Sequence, residues 1–245
     1  MQDNIKDLIK LIKETTTSAQ NNIWIPSLRR EVAFSPITIL QQRQLIDAAL
    51  TSQIDIVNKL FVDILKQNCS STDIDIESLT LLDKDVIILS LRQTINNNIE
   101  TDADITVAVA DVLEKYKEVE IPSCAVESNG ISILFSVPTI GSEIRINNNI
   151  ELDKEDKNSA AKYVLNSIVI DMLRCVRSFS VQDKVYQARD ISIEQLEEAI
   201  NSLPAAAATQ AYNYILSYKK DRATRLTVKD TDYVLDVNIR MLLNL

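Results

Sequence analysis

The sequence predicts an α+β fold that is mainly helical, with β-hairpins and a small antiparallel sheet in the middle of the chain. Apolar residues recur at helical spacing in several long runs, whereas short runs rich in β-branched residues alternate apolar and polar side chains. The helical runs and the strand-like runs form separate blocks. That order disfavours the strict alternation of strand and helix that builds a doubly wound parallel sheet.

The composition is that of a soluble globular protein. Of 245 residues, 46% are hydrophobic and 25% are charged, which is sufficient for a substantial core. The formal net charge of −9 disfavours nucleic-acid binding, because phosphate backbones repel an acidic protein. No apolar run has the length of a membrane span, and MQDNIKDLIKLIKE at the start lacks the pattern of a signal peptide. We therefore expect a cytoplasmic site of synthesis and no binding to nucleic acid or membrane.

Several kinds of chemistry are disfavoured by missing residue types. The chain has no His, which removes the usual general base and the commonest transition-metal ligand. Its two glycines cannot form a glycine-rich phosphate loop. The three cysteines are widely spaced, which fits neither a disulfide framework nor a zinc site. We expect no enzyme activity, no metal and no cofactor.

The N-terminal segment predicts an amphipathic helix over residues 3–14. Ile5, Leu8, Ile9 and Ile12 fall at i, i+3, i+4 and i+7, and TTTSAQNN (15–22) then reads as a linker. Such a helix either packs on its own domain or, since a linker extends its reach, docks on a partner. The sequence leaves both alternatives open.

The next segments predict a hairpin followed by three helices. Residues 22–34 alternate as two short strands do, although no Gly or Asn assists the turn. Pro36 ends the second strand, and Thr38 is placed to cap a helix over 38–50 with Leu40, Leu45, Ile46 and Ala49 on its core face. Helices over 53–67 and 79–95 follow, and the apolar run in the latter predicts a central position.

The second half of the chain predicts a small sheet and more helices. ITVAVADVL, EVEIPSCAV and ISILFSVPT predict strands, with Ser128-Asn129-Gly130 as a turn, and Asn147–Asn149 with ELDKEDKN predict a polar loop. A helix over 157–177, the short strand KVYQARD and a helix capped by Ser192 and Gln195 follow. Pro204 starts a last helix, to about residue 217, before RLTVKDTDYVLDVNI, which predicts a closing hairpin. We divide the chain into segments 1–20, 21–98, 99–150 and 151–245.

An ordered set of short motifs resembles the baseplate hub and hub-assembly proteins of T-even-like contractile-tailed phages. The resemblance begins at IPSLRREVAFSPITILQQRQLI and covers about 220 residues. It continues through ILKQNC (64–69), DIDIESL (73–79), DVIILSLR (85–92), VPT (137–139) and KVYQARDISIEQLEEAINSLP. Many members of that family carry CxxC-like pairs, whereas this chain keeps only Cys124 in the middle region. Metal binding therefore does not carry over.

The resemblance implies a structural role in a phage tail, with other baseplate hub and tail proteins as partners. The protein would be made in the infected bacterial cytoplasm and reside in the baseplate of the virion. A non-virion assembly chaperone or catalyst for the hub is the alternative, and self-association is left open. Three regions are our candidates for partner contacts. They are the N-terminal helix (Ile5, Leu8, Ile9, Ile12), the hairpin tip (Leu28, Arg29, Arg30) and the C-terminal residues Met241, Leu242 and Leu243.

Overall fold

The computed structural model describes residues 20–50, 54–128, 130–149 and 160–243. These residues form eight α-helices and eight β-strands, with antiparallel sheets of two, two and four strands, which confirms the predicted α+β class. The described residues fall into two compact units. The first contains those within Met1–Ile76, Asp83–Val119 and Val228–Leu245, and the second contains Glu77–Leu82 and those within Glu120–Thr227.

The first unit opens with the predicted hairpin. Strands β1 (Asn21–Ile25) and β2 (Arg30–Phe34) pair antiparallel, with Ile23 opposite Val32. Alternate residues of the two strands point to one face, which is why a period of two in the sequence produces a buried row. That row consists of Ile23, Ile25, Val32 and Phe34.

Helices α1 (Ile39–Leu50) and α2 (Ile54–Asn68) follow the hairpin, as predicted. The cap at Thr38 is also confirmed: its Oγ1 accepts the Gln41 N–H at 3.2 Å, and the Gln41 side chain accepts the Thr38 N–H at 2.9 Å. The predicted core face of α1 was wrong at Leu40, which is 67% exposed. Gln41 is buried instead, because its amide pairs with the Asn68 side chain at 2.9 Å and 3.2 Å.

Helix α3 (Leu81–Ile95) is central in the first unit, as its apolar run predicts. Val86, Ile87, Ile88 and Leu89 are consecutive and all buried, so the helix is covered on every side at this level. From Asp83 onward its residues belong to the first unit, whereas Leu81 and Leu82 group with the second.

The predicted strand ITVAVADVL was largely wrong. Only Thr106–Ala108 (β4) is a strand, and it pairs with Asn98–Glu100 (β3) rather than with the middle sheet. Residues Val109–Glu114 form a short helix, α4. Val109 and Val112 are buried at a spacing of three residues, so a helical turn suits their burial better than an extended strand does.

The described residues from Val228 onward belong to the first unit. The predicted closing hairpin is replaced by a turn in which the Val228 N–H donates to the Tyr233 carbonyl at 2.8 Å. A 3-10 segment, Ile239–Leu243, then packs on α1 and α2. Its predecessors Leu235 and Val237 are buried with Ile239, so alternation here fills a core without forming paired strands.

The second unit is built on a four-stranded antiparallel sheet in the order β5 (Ser123–Ser128), β6 (Ile131–Ser136), β7 (Val176–Val181) and β8 (Lys184–Gln187). Gly130, with φ at 77°, follows β5 in the predicted turn, where a side chain would be strained. The helix that was predicted to reach residue 177 ends at Cys175, and strand β7 begins at Val176. Phe179 pairs across from Ile133, so burial in the sheet decides the conformation of this apolar run.

Four helices complete the second unit: α5 (Ile140–Asn149), α6 (Ala160–Cys175), α7 (Ile193–Asn201) and α8 (Ala205–Leu226). Helix α5 replaces the start of the predicted polar loop. A Cβ on Gly141 would lie 3.0 Å from Glu77, so the close approach of these two segments favours glycine. The capping box of Ser192 and Gln195 is confirmed. Helix α8 begins after Pro204 as predicted but continues beyond residue 217, because Tyr218 and Leu226 extend its buried face.

Candidate interaction surface

The hairpin tip, defined as Leu28, Arg29 and Arg30, is formed by a tight turn that contains neither Gly nor Asn. The Leu28 N–H donates to the Ile25 carbonyl at 3.1 Å, and the Arg29 N–H donates to the Pro26 carbonyl at 3.3 Å. Arg29 takes the left-handed conformation, with φ at 51°, in place of the glycine that such a turn favours. The turn therefore carries strain that its surroundings must offset.

A buried carboxylate anchors the turn to α3. Asp83 is 0% exposed, and its Oδ1 accepts the Ser27 N–H at 2.9 Å. A charged acceptor makes a stronger bond to a backbone N–H than a neutral one does, and Asp83 also lies in the first turn of a helix, where negative charge is favoured. Asp85, two residues later, is buried as well and accepts a bond from the Tyr116 hydroxyl at 3.2 Å. Both acidic residues of this turn thus stabilise the fold.

An exposed ion pair ties the tip to the loop before α3. Arg30 Nη2 lies 2.5 Å from Asp73 Oδ2. The hydrogen bond from Arg30 lowers the pKa of the Asp73 carboxyl below its ordinary value. Because both side chains are solvated, the pair orients Arg30 but contributes little stability. Asp73 belongs to DIDIESL, so two motifs of the sequence lie side by side here.

The tip presents a small mixed surface to solvent. Leu28 is 37% exposed, and the side chains of Arg29 and Arg30 are exposed beside it. An apolar group next to guanidinium groups suits a protein partner that offers an apolar contact and a carboxylate. The structure thus places these three predicted residues together on a braced turn.

The C-terminal candidates are placed differently. Leu242 is buried, and the 3-10 segment that contains it packs on α1 and α2. Met241 is half-buried, and the side chain of Leu243 is outside the described part of the chain. Leu242 therefore offers no surface to a partner in this conformation. The N-terminal candidates Ile5, Leu8, Ile9 and Ile12 also lie outside the described residues.

Sequence reasoning did not identify the exposed apolar residues of α1. Ile39 and Leu50 are strongly exposed, and Ile46 between them is half-buried. The predicted core face consisted of Leu40, Leu45, Ile46 and Ala49, and it included neither Ile39 nor Leu50. The buried pair of Gln41 and Asn68 was also missed, because polar residues give no periodic core signal.

Other chemistry is weakly represented in the described residues. Within these residues, no group of three His, Cys, Asp or Glu side chains could hold a metal ion. None of the described helices is long and apolar enough to cross a membrane. Cys69 and Cys124 are half-buried and Cys175 is buried; all three are free thiols. Burial, with a smaller effect of the Asp171 charge, raises the pKa of Cys175 to about 12, which makes it a poor nucleophile.

The chain was compared with family models, with curated proteins and with solved structures. The family model described as "T4 bacteriophage base plate protein" matches residues 17–232. No curated protein and no solved structure matches the chain. The matched range contains the hairpin tip, Asp73, Asp83 and both described units up to Asp232. Since the match spans far more than half of the 245 residues, the chain belongs to the family of T4 bacteriophage base plate proteins.

Proposed function

We propose that this protein is a structural component of the baseplate hub and acts through contacts with other hub and tail proteins. The observation that carries the proposal is the family match over residues 17–232. The hub is favoured because the ordered motifs from IPSLRREVAFSP onward resemble those of hub and hub-assembly proteins. The missing His and the scarcity of Gly support a role without catalysis.

The hairpin tip is the surface that we assign to a partner. Its turn is held by two backbone hydrogen bonds, by Asp83 and by the Arg30–Asp73 pair. A surface that is already ordered loses less conformational freedom on binding, so more of the contact energy appears as affinity. Arginine is also among the residues that most often dominate the energy of protein interfaces. We expect an acidic site with an apolar centre on the partner.

Charge reversal at the tip tests this assignment. Arg29→Glu changes the charge by two units at the tip, and Arg189→Glu makes the same change at a side chain that is 79% exposed in the second unit. Tagged versions of both variants and of the wild type would be co-expressed with neighbouring baseplate proteins and recovered by affinity. We expect the wild type and Arg189→Glu to recover a hub protein and Arg29→Glu to lose it. Equal recovery by all three would remove the tip from the interface.

The hub role itself is tested on purified phage particles. Quantitative mass spectrometry should find the protein in stoichiometric amounts with other baseplate proteins if it is a virion component. Absence from complete particles, together with missing hubs in null mutants, would support a non-virion assembly chaperone or catalyst instead. Clearing on a peptidoglycan zymogram by the purified protein would contradict a role without catalysis. Light scattering of the same preparation would determine whether the protein self-associates.

A further inference from the structure

The two edges of the four-stranded sheet in the second unit differ in how they are covered. Along β5, helix α8 supplies side-chain donors. The Gln210 amide donates to the Ala125 carbonyl at 3.5 Å, and the Tyr214 hydroxyl donates to the Pro122 carbonyl at 2.8 Å. The opposite edge of the sheet is β8, and all four of its residues are exposed. An exposed edge strand is a template on which another chain can add a strand.

The turn between β7 and β8 determines which backbone groups of β8 face outward. Two residues form this turn, so the pair that closes it, Val181 and Lys184, is hydrogen-bonded. Hydrogen-bonded and non-hydrogen-bonded pairs alternate along an antiparallel ladder, and Tyr186 is therefore the next residue that bonds with β7. The N–H and C=O groups of Val185 and Gln187 consequently point away from β7, toward the open edge.

The side chains at this edge are apolar in the centre and charged at both ends. Val185 is 60% exposed and Tyr186 is 48% exposed, and Lys184 is the one charged residue within β8. Asp183 precedes the strand and Arg189 follows it. These two residues have opposite charges and lie at equal distances, three residues each, on either side of Tyr186.

We propose that the β8 strands of two copies of this protein pair antiparallel about a two-fold axis at Tyr186. The two sheets then form one sheet of eight strands. Val185 of each copy exchanges backbone hydrogen bonds with Gln187 of the other, and the two Tyr186 rings meet in a non-hydrogen-bonded pair, where side chains approach most closely. A two-fold axis requires a self-complementary surface, and here it places each Asp183 opposite Arg189 of the second copy. That symmetry favours a second copy over an unrelated strand.

Charge and size set the expected affinity of this dimer. Residues 183–190 carry two acidic and two basic side chains, so this surface is neutral although the chain has a net charge of −9. Repulsion between the two copies is therefore small at this position. Pairing of four residues per strand buries less area than a standard interface, so we expect a dissociation constant of about 10–100 µM.

A single proline tests the backbone pairing. Val185→Pro removes an N–H that points away from β7, so the β7–β8 ladder is retained. The dimer loses two hydrogen bonds by symmetry, and its association should weaken about ten-fold or more. Val185→Thr is the matched control, because it keeps the N–H and the β-branched shape and should associate as the wild type does. Sedimentation velocity of the purified full-length proteins over a concentration series measures the association, and circular dichroism verifies the fold.

Charge reversal tests the two-fold axis. Asp183→Arg or Arg189→Asp alone places like charges opposite each other and should weaken association about five-fold. The double variant Asp183→Arg/Arg189→Asp restores opposite charges and should recover the wild-type affinity. A wild type that remains monomeric at about 200 µM would overturn the proposal, since even a weak interface associates there. Wild-type association by Val185→Pro, or a double variant as weak as the single ones, would overturn it as well. The measurement uses the purified protein alone and leaves the hairpin tip unchanged, so its result is independent of the proposed function.

Discussion

The Asp83→Ala variant gives the most direct test of how the hairpin tip is held. Asp83 is fully buried, and its carboxylate accepts the Ser27 N–H at 2.9 Å. Alanine removes the acceptor of this N–H. We expect both a loss of global stability and a local loosening of the turn that carries Leu28, Arg29 and Arg30.

The expected loss in the free energy of unfolding is the sum of two contributions. A hydrogen bond to a charged group contributes about 1.5–3 kcal/mol to stability. Negative charge in the first turn of a helix adds roughly 0.3–1 kcal/mol. The free energy of unfolding should therefore fall by about 2–4 kcal/mol in Asp83→Ala. Asp83→Asn keeps an acceptor but loses the charge, so its cost should be about half as large.

Urea denaturation followed by circular dichroism measures the loss in the free energy of unfolding. The rate of tryptic cleavage after Arg29 and Arg30 measures the loosening of the turn at the hairpin tip. Asp63→Ala is the matched control, because Asp63 is an exposed aspartate on α2 and its removal should cost less than about 0.5 kcal/mol. A loss below about 0.5 kcal/mol in Asp83→Ala, with unchanged cleavage at the tip, would refute the account of Asp83 as the anchor.

Three further outcomes are expected. The hydrogen bond from Arg30 is the largest cause of the lowered pKa of Asp73, so the ion pair is fully present above pH 3.8 and is lost as the pH falls through the lower folded-state pKa. NMR titration should show the Asp73 pKa rising toward its ordinary value in Arg30→Gln. Cys175, with a pKa raised to about 12, should not react with a thiol reagent at pH 8 until the protein unfolds; rapid native reaction would contradict its burial. Gln41→Leu leaves the buried Asn68 amide short of a partner and should cost about 1–3 kcal/mol, and a double-mutant cycle without coupling between the two positions would contradict the pairing.

The sequence was a good guide where local rules agree with burial. The hairpin of β1 and β2, the three helices after it, the cap at Thr38 and the capping box at Ser192 all follow from short-range chemistry. Alternation with a period of two, apolar spacing near 3.6 and side-chain caps act within a few residues. They are therefore readable without knowledge of distant contacts.

Prediction was wrong where an apolar run suits two conformations. Residues 105–113 read as a strand, but the burial of Val109 and Val112 favours a helix. Residues 176 and 177 were predicted as the end of a helix, but pairing with β6 places them in strand β7. In both cases hydrogen bonds and neighbours from other parts of the chain decide between helix and strand. Periodicity over six residues cannot distinguish these two conformations.

The same difference between local features and distant contacts applies to the candidate site. The sequence identified Leu28, Arg29 and Arg30 as a turn, yet it gave no sign that Asp83, 56 residues from Ser27, anchors that turn. It grouped Leu242 with surface candidates, whereas packing on α1 and α2 buries it. A polar or apolar side chain acquires its role from the partner that it meets, and that partner is set by tertiary contacts.

The sequence by itself determined the fold class, the order of most elements, the residue types that disfavour catalysis and the family to which the chain belongs. Each of these depends on composition or on motifs that survive as a linear pattern. Only the tertiary structure decided that the described residues from Val228 onward group with the first unit, that β7 joins β6 across two intervening helices, and that a buried carboxylate braces an exposed turn. Those features depend on contacts between distant segments, because burial and hydrogen-bond satisfaction are properties of the folded chain.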